Sequence, residues 1–192
     1  MAVSLAGHVR CFMPTRREPV AIHVYDGAPD DLALSFDGRW AVCSNHQRNT
    51  LLWETHRTAA QPVECEGTSG RHAPAFNEGG RRLAVPAERQ LSLRAIGPRR
   101  PTRLALLPVC ASALAWRPVD GDILATAGSD HAVRLWRTGA QGGRSGYTSL
   151  AAGHLTTPAT SLAWTGQQLL AVAEQGGRVT LLSINPETTH AS

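Results

Sequence analysis

The chain has 192 residues, 42% of them hydrophobic and 18% charged, which is enough apolar material for a packed core and too little charge for a disordered chain. Its net charge of +4 comes from 19 basic residues, all of them arginine, against 15 acids, and the absence of lysine excludes a phosphate-cradling P-loop in its usual form. No run of 18 apolar residues is present to cross a membrane, and the first residues lack the basic start and long apolar run of a secretory signal, so a cytoplasmic protein without a membrane segment is expected.

In chain order, residues 1–30 form an N-terminal segment in which Pro19–Asp26 reads as a strand. Cys11, Cys43, Cys65 and Cys110 form no C-x-x-C pair, so neither a zinc nor a redox motif is present. Cys43 and Cys110 lie in apolar stretches and are expected as small buried hydrophobes of a reduced protein.

Residues 31–185 carry four copies of one pattern, near 31–66, 72–107, 111–152 and 159–185, and residues 186–192 form a C-terminal tail. The aromatic anchors Phe36, Phe76, Trp116 and Trp164 are spaced 40, 40 and 48 residues apart. The longer interval is explained by the glycine-rich loop Gly139–Gly146. In the third copy the apolar run Ala111–Trp116 is followed by the turn Pro118–Asp122. The run Ile123–Ala127, the turn Gly128–His131 and the alternating run Ala132–Trp136 complete three short strands. The hairpin length repeats: 13 residues separate Ile123 from Trp136, Trp40 from Trp53, and Leu169 from Leu182. Pro62–Glu66, Thr102–Leu107 and Tyr147–Ala152 occupy the place of a fourth strand after successive copies.

A four-stranded meander of about 40 residues cannot bury both faces alone, and stacking such sheets around an axis solves the problem. The expected fold is therefore an all-β propeller built of four-stranded antiparallel blades, with four recognisable blades and an N-terminal strand. A seven-bladed ring needs roughly 280 residues at this period, so an incomplete or divergent ring is expected, whose open blade edges invite self-association.

The third copy, LATAGSDHAVRLWR over Leu124–Arg137, resembles the WD-repeat family of propellers. Trp53-Glu54 and Trp136-Arg137 stand where the family ends on Trp-Asp, and Gly153-His154 and Gly7-His8 match its Gly-His pair. The resemblance implies a hydrogen-bonded network of His, Ser or Thr, Asp and Trp within a blade. Carried over residue by residue, this gives Thr126, Asp130 and Trp136 in the third copy, His154 in the fourth and Trp53 in the first. No copy holds the full set: Leu107 falls at the His position of the third copy, and Gly176 and Leu182 replace the Asp and Trp of the fourth. The resemblance also implies a non-catalytic scaffold that docks a protein partner on one face. That face is formed by the loop entering each blade and the turn between its second and third strands. Transferred here, it is lined by His46, Gln47, Arg48, Glu88, Arg89, His131, Glu174 and Gln175.

No G-x-S-x-G or H-E-x-x-H motif occurs, and the eight histidines show no ligand spacing. The inner strands read ALSF, APAF, ALAW and SLAW, without carboxylates, which argues against an enzyme with a central-channel site. No catalytic, metal-binding or cofactor-binding residue is therefore assigned. The alternative function rests on the cluster Arg81, Arg82, Arg89, Arg94, Arg99, Arg100 and Arg103, in which Glu88 is the one acid. With Arg81, Arg82, Arg99 and Arg100 as its patch, it would attract an acidic partner or nucleic acid. No aromatic residue lies within it to stack bases, which disfavours single-strand binding.

Overall fold

The computed structural model describes residues 2–5, 8–11, 21–24, 30–45, 48–56, 61–65, 72–87, 89–97, 101–119, 121–139 and 146–184, with the side chains of 2–24, 45, 48 and 49 excluded. Every regular element among them is a strand. Five antiparallel sheets follow one another along the chain. An N-terminal sheet holds β1 (Ala2–Leu5), β2 (His8–Cys11) and β3 (Ala21–Val24). Blade one holds β4 (Asp31–Leu34), β5 (Trp40–Asn45), β6 (Arg48–Glu54) and β7 (Val63–Cys65). Blade two holds β8 (Ala75–Phe76), β9 (Arg82–Pro86), β10 (Leu91–Ile96) and β11 (Pro101–Leu107). Blade three holds β12 (Ala113–Trp116), β13 (Ile123–Ala127), β14 (Ala132–Thr138) and β15 (Tyr147–His154). Blade four holds β16 (Ala159–Thr165), β17 (Leu169–Glu174) and β18 (Val179–Ser183).

Within each sheet the strands pair in chain order, so each is a meander. The first strands lie side by side, β1 by β4, β4 by β8, β8 by β12 and β12 by β16, which makes them the inner strands of a propeller arrangement. The expected fourth strands are present as β7, β11 and β15. Ala21–Val24, within the expected Pro19–Asp26 strand, is the third member of the N-terminal sheet, whose first two strands the repeat pattern does not mark.

Register shows how the repeat builds its core. Trp116 pairs with Leu124 and Trp164 with Leu170, and Phe76 pairs with Leu83. From blade one to blade four, one face of each blade packs against the large apolar residues of the next. Val42 and Leu52 of blade one cluster with Leu83, Val85 and Phe76 of blade two. Ala84, Leu91 and Leu93 of blade two meet Trp116, Leu124 and Trp136 of blade three. Ala125, Val133 and Leu135 of blade three meet Leu162, Leu170 and Val172 of blade four. The Trp anchors also tie neighbours by hydrogen bonds: the Trp116 indole donates to the Ala75 carbonyl at 2.9 Å, and the Trp164 indole to the Ala115 carbonyl at 3.1 Å. An inner strand made of alanines lets the next indole reach that carbonyl.

Two expectations are corrected. Leu34, which pairs with Ala41, holds the anchor position of blade one. Phe36 is 81% exposed in the following turn. The cause is local turn chemistry: the Ser35 hydroxyl donates to Asp37 at 2.6 Å and accepts the Trp40 amide at 2.9 Å, closing the turn ahead of the aromatic residue. Cys110 is exposed in the loop before β12, whereas Cys43 and Cys65 are buried. Burial pushes the Cys65 thiol up from its ordinary value.

Candidate functional site

The shared meander topology brings the β9–β10, β13–β14 and β17–β18 turns to one end of the sheets, together with the loops entering the inner strands. This rim is where the expected partner-binding residues fall. His46, Gln47 and Glu88 lie outside the described residues, as does the side chain of Arg48. Arg89, His131 and Gln175 are exposed on their turns. His131 has a φ of 58°, a left-handed conformation that a short polar turn residue tolerates. Its carbonyl accepts the Leu155 amide at 2.7 Å, fastening the turn to the loop entering blade four.

Glu174 is placed differently. It is buried, and its carboxylate accepts the Thr157 amide at 3.0 Å, the Thr157 hydroxyl at 3.3 Å and the Thr180 hydroxyl at 2.9 Å. These bonds, the first of them the backbone amide, hold its carboxyl below the ordinary glutamate value, with the Arg178 charge adding to the effect. Arg178 in turn donates to the Thr156 hydroxyl at 2.9 Å. The side chain therefore pins turn and entry loop together, and its hydrogen-bonding capacity is directed inward. No WD-type spacing marks this arrangement. The sequence signal for it was an acid ending β17 with threonines on both neighbouring segments.

The residues of the expected network are partly brought together. In blade three the Trp136 indole donates to the buried Thr126 hydroxyl at 2.8 Å. Asp130 sits at the turn, accepting the Ala132 amide at 3.2 Å and pairing with Arg134, away from that bond. Gly153 and His154 are the last residues of β15, opposite Val133 and Ala132, and not part of the loop entering blade four. The His154 side chain is exposed. Trp53 is buried in blade one.

Sequence reasoning missed an acidic group at the same end. Asp31 begins inner strand β4, and its carboxyl is pushed above the ordinary aspartate value by burial and by neighbouring Asp30, against a lowering influence of His72. Among the described residues no group of three or more His, Cys, Asp or Glu side chains converges as a metal site would require. No helix among them is long and apolar enough to cross a membrane.

The arginines are dispersed. Arg81 and Arg89 flank opposite ends of β9, and both are exposed. Arg82 bridges blades, reaching Asp122 at 2.8 Å and the Thr138 hydroxyl at 2.7 Å. Arg94 is buried in β10, and Arg103 is exposed on β11. Arg99 and Arg100 lie outside the described residues.

The fold and rim define the class of this molecule: an all-β protein with a propeller arrangement of blades. Comparison with known proteins adds to this at the level of fold. No protein-family model matches the chain. No curated protein matches it. Among solved structures, the chain is similar to the crystal structure of the computationally designed Ika4 protein, with a TM-score of 0.65 and 17% sequence identity over 84% of this chain and 94% of that one.

Proposed function

We propose that this chain is a divergent WD-repeat propeller that works as a non-catalytic protein–protein interaction scaffold, presenting its rim of turns and entry loops to a protein partner in the cytoplasm. The observation that carries the reading is the contrast between frame and turns. Ala33, Ala75, Ala115 and Ala163 recur at one register position of the inner strands. On the turns that this frame holds, exposed Arg89, His131 and Gln175 differ in charge, shape and hydrogen-bonding character. A rigid support with dissimilar polar tips is the arrangement that recognition requires. A nucleic-acid role through the arginines receives less support, because Arg82 is committed to an interblade ion pair and Arg94 is buried.

The test is affinity purification of the tagged chain beside a variant carrying Arg89→Ser, His131→Ser and Gln175→Ser, with co-purifying proteins quantified by mass spectrometry. The expected result is a reproducible partner whose recovery falls at least about tenfold in the variant, a loss of more than about 1.4 kcal/mol. The variant should keep its thermal midpoint. Equal recovery of every co-purifying protein would remove the rim from recognition.

A further inference from the structure

Backbone strain marks one turn of blade three. The turns joining the first and second strands of the blades take their left-handed residue from glycine: Gly38, Gly80, Gly121 and Gly166, at φ of 68°, 63°, 56° and 72°. The β12–β13 turn holds a second left-handed residue, Val119, at φ 77°. A β-branched side chain is an outlier there, because its Cβ crowds the following carbonyl. Burial does not offset the strain, since Val119 is 73% exposed.

Turn chemistry identifies the conformation being resisted. Pro118 fixes its own φ at about −65°. With proline at the second position the turn has two common forms, type I and type II. Type II needs a positive φ at the third position, here Val119, and suits glycine or asparagine. Type I places that residue at about −90°, which valine accepts. The two forms differ by a flip of the Pro118–Val119 peptide. Local preference thus favours type I, while the φ of Val119 is that of type II.

The holding group comes from the neighbouring blade. The Glu78 carboxylate, on the exposed β8–β9 turn of blade two, accepts the Val119 amide. That N–H belongs to the peptide that flips, so in type I it turns away from Glu78. The base of the turn is fixed separately. The Arg117 amide donates to the Ile123 carbonyl at 2.8 Å, Asn77 Nδ2 donates to the Gly121 carbonyl at 3.2 Å, and Arg82 pairs with Asp122 at 2.8 Å. The turn is therefore fastened at its base and strained at its tip, with a carboxylate of another blade on the strained peptide. We infer that the Pro118–Val119 turn is a two-state element and that Glu78 is the latch holding it left-handed. Release of Glu78, by separation of the two turns or by a cation competing for the carboxylate, lets the peptide flip and redirects the Val119 side chain. The device couples the shape of this end of blade three to the engagement of blade two. It lies at the end opposite the rim, so it stands or falls independently of the partner-binding reading.

The experiment is nuclear magnetic resonance of the full chain, reading Val119. The wild type is expected to show strong nuclear Overhauser effects from the Val119 amide to its own Hα and to the Pro118 Hα, the pattern of a type II turn. Glu78→Ala is expected to weaken both. The ratio of left-handed to right-handed molecules should fall at least about tenfold, as loss of a charge-assisted hydrogen bond implies. Glu78→Gln, which keeps an uncharged acceptor, is expected between the two. A thermal cycle supplies the second measurement. Val119→Gly removes the strain, so it should raise the Tm of the wild type by roughly 2–4 °C and that of Glu78→Ala by less. A wild type in which Val119 is right-handed overturns the proposal. So does a Glu78→Ala protein in which Val119 stays left-handed, or a Val119→Gly gain that is equal in both backgrounds.

Discussion

The hydrogen bond between Trp136 and Thr126 offers the sharpest measurement of how a blade is held. Both groups are buried, Thr126 completely, and the indole nitrogen lies 2.8 Å from the hydroxyl. Replacing Thr126 by Val leaves the indole N–H without its partner, and replacing Trp136 by Phe does the same to the hydroxyl. Each orphaned group costs about 1–3 kcal/mol, and the Phe variant also loses packing within its cluster. Removing both together forfeits only the net bond, about 0.5–1.5 kcal/mol, beyond that packing loss. The double variant should therefore be more stable than the sum of the singles would give by about 1.5–4.5 kcal/mol. The protein has carried out a related substitution itself, since register puts Val172 and Leu182 at these two positions in blade four. Urea unfolding of the four proteins, followed by far-ultraviolet circular dichroism because an emitting residue is altered, gives the cycle. A coupling below about 0.5 kcal/mol would refute the reasoning, since the two groups would then act independently.

Two further outcomes follow from single sites. A Cβ at Gly128 would lie 2.0 Å from the Cys110 carbonyl oxygen, a backbone atom that cannot rotate away, so Gly128→Ala should cost about 3 kcal/mol. Calorimetry should show this as a Tm loss of roughly 6–12 °C for a chain of this size, and an unchanged Tm would contradict the close approach. Glu174 is held below the ordinary glutamate value of 4.5, so its carboxylate stabilises the fold fully above that pH and the contribution is lost as pH falls through the lower native value. Denaturant titrations should find the wild type more stable than Glu174→Gln at neutral pH, with the gap narrowing below pH 4.5. A gap independent of pH would assign the effect to packing.

Periodicity was enough to expose the blades, because the alternation of Ala with Leu or Trp along the inner strands is a local signal that the packing then uses. Val63–Cys65, Pro101–Leu107 and Tyr147–His154 fall at the fourth-strand places read from the intervals between copies. What escaped the sequence was set by partners distant along the chain or by a competing turn. Phe36 looked like an anchor by spacing, but the Ser35 and Asp37 side chains closed the turn before it. Glu174 looked like a rim residue by position, yet Thr157, 17 residues earlier, turned it inward. His154 matched a dipeptide motif and was drawn instead into the ladder opposite Ala132. Short polar residues choose among nearby backbone and hydroxyl partners, and that choice depends on the tertiary position of loops that no period describes.

The same limit explains why the bare face of blade four is invisible in the sequence. Read locally, Val179 and Leu181 are the expected residues of a third strand, just as Val133 and Leu135 are. Nothing in the residues themselves distinguishes a position that will be covered from one that will not, because coverage is supplied by the next repeat. In an array whose units contact only their neighbours, the terminal units decide solubility and ordinarily carry a polar outer face. Blade four keeps, on the face that carries Leu169, Val179 and Leu181, the apolar pattern of blade three.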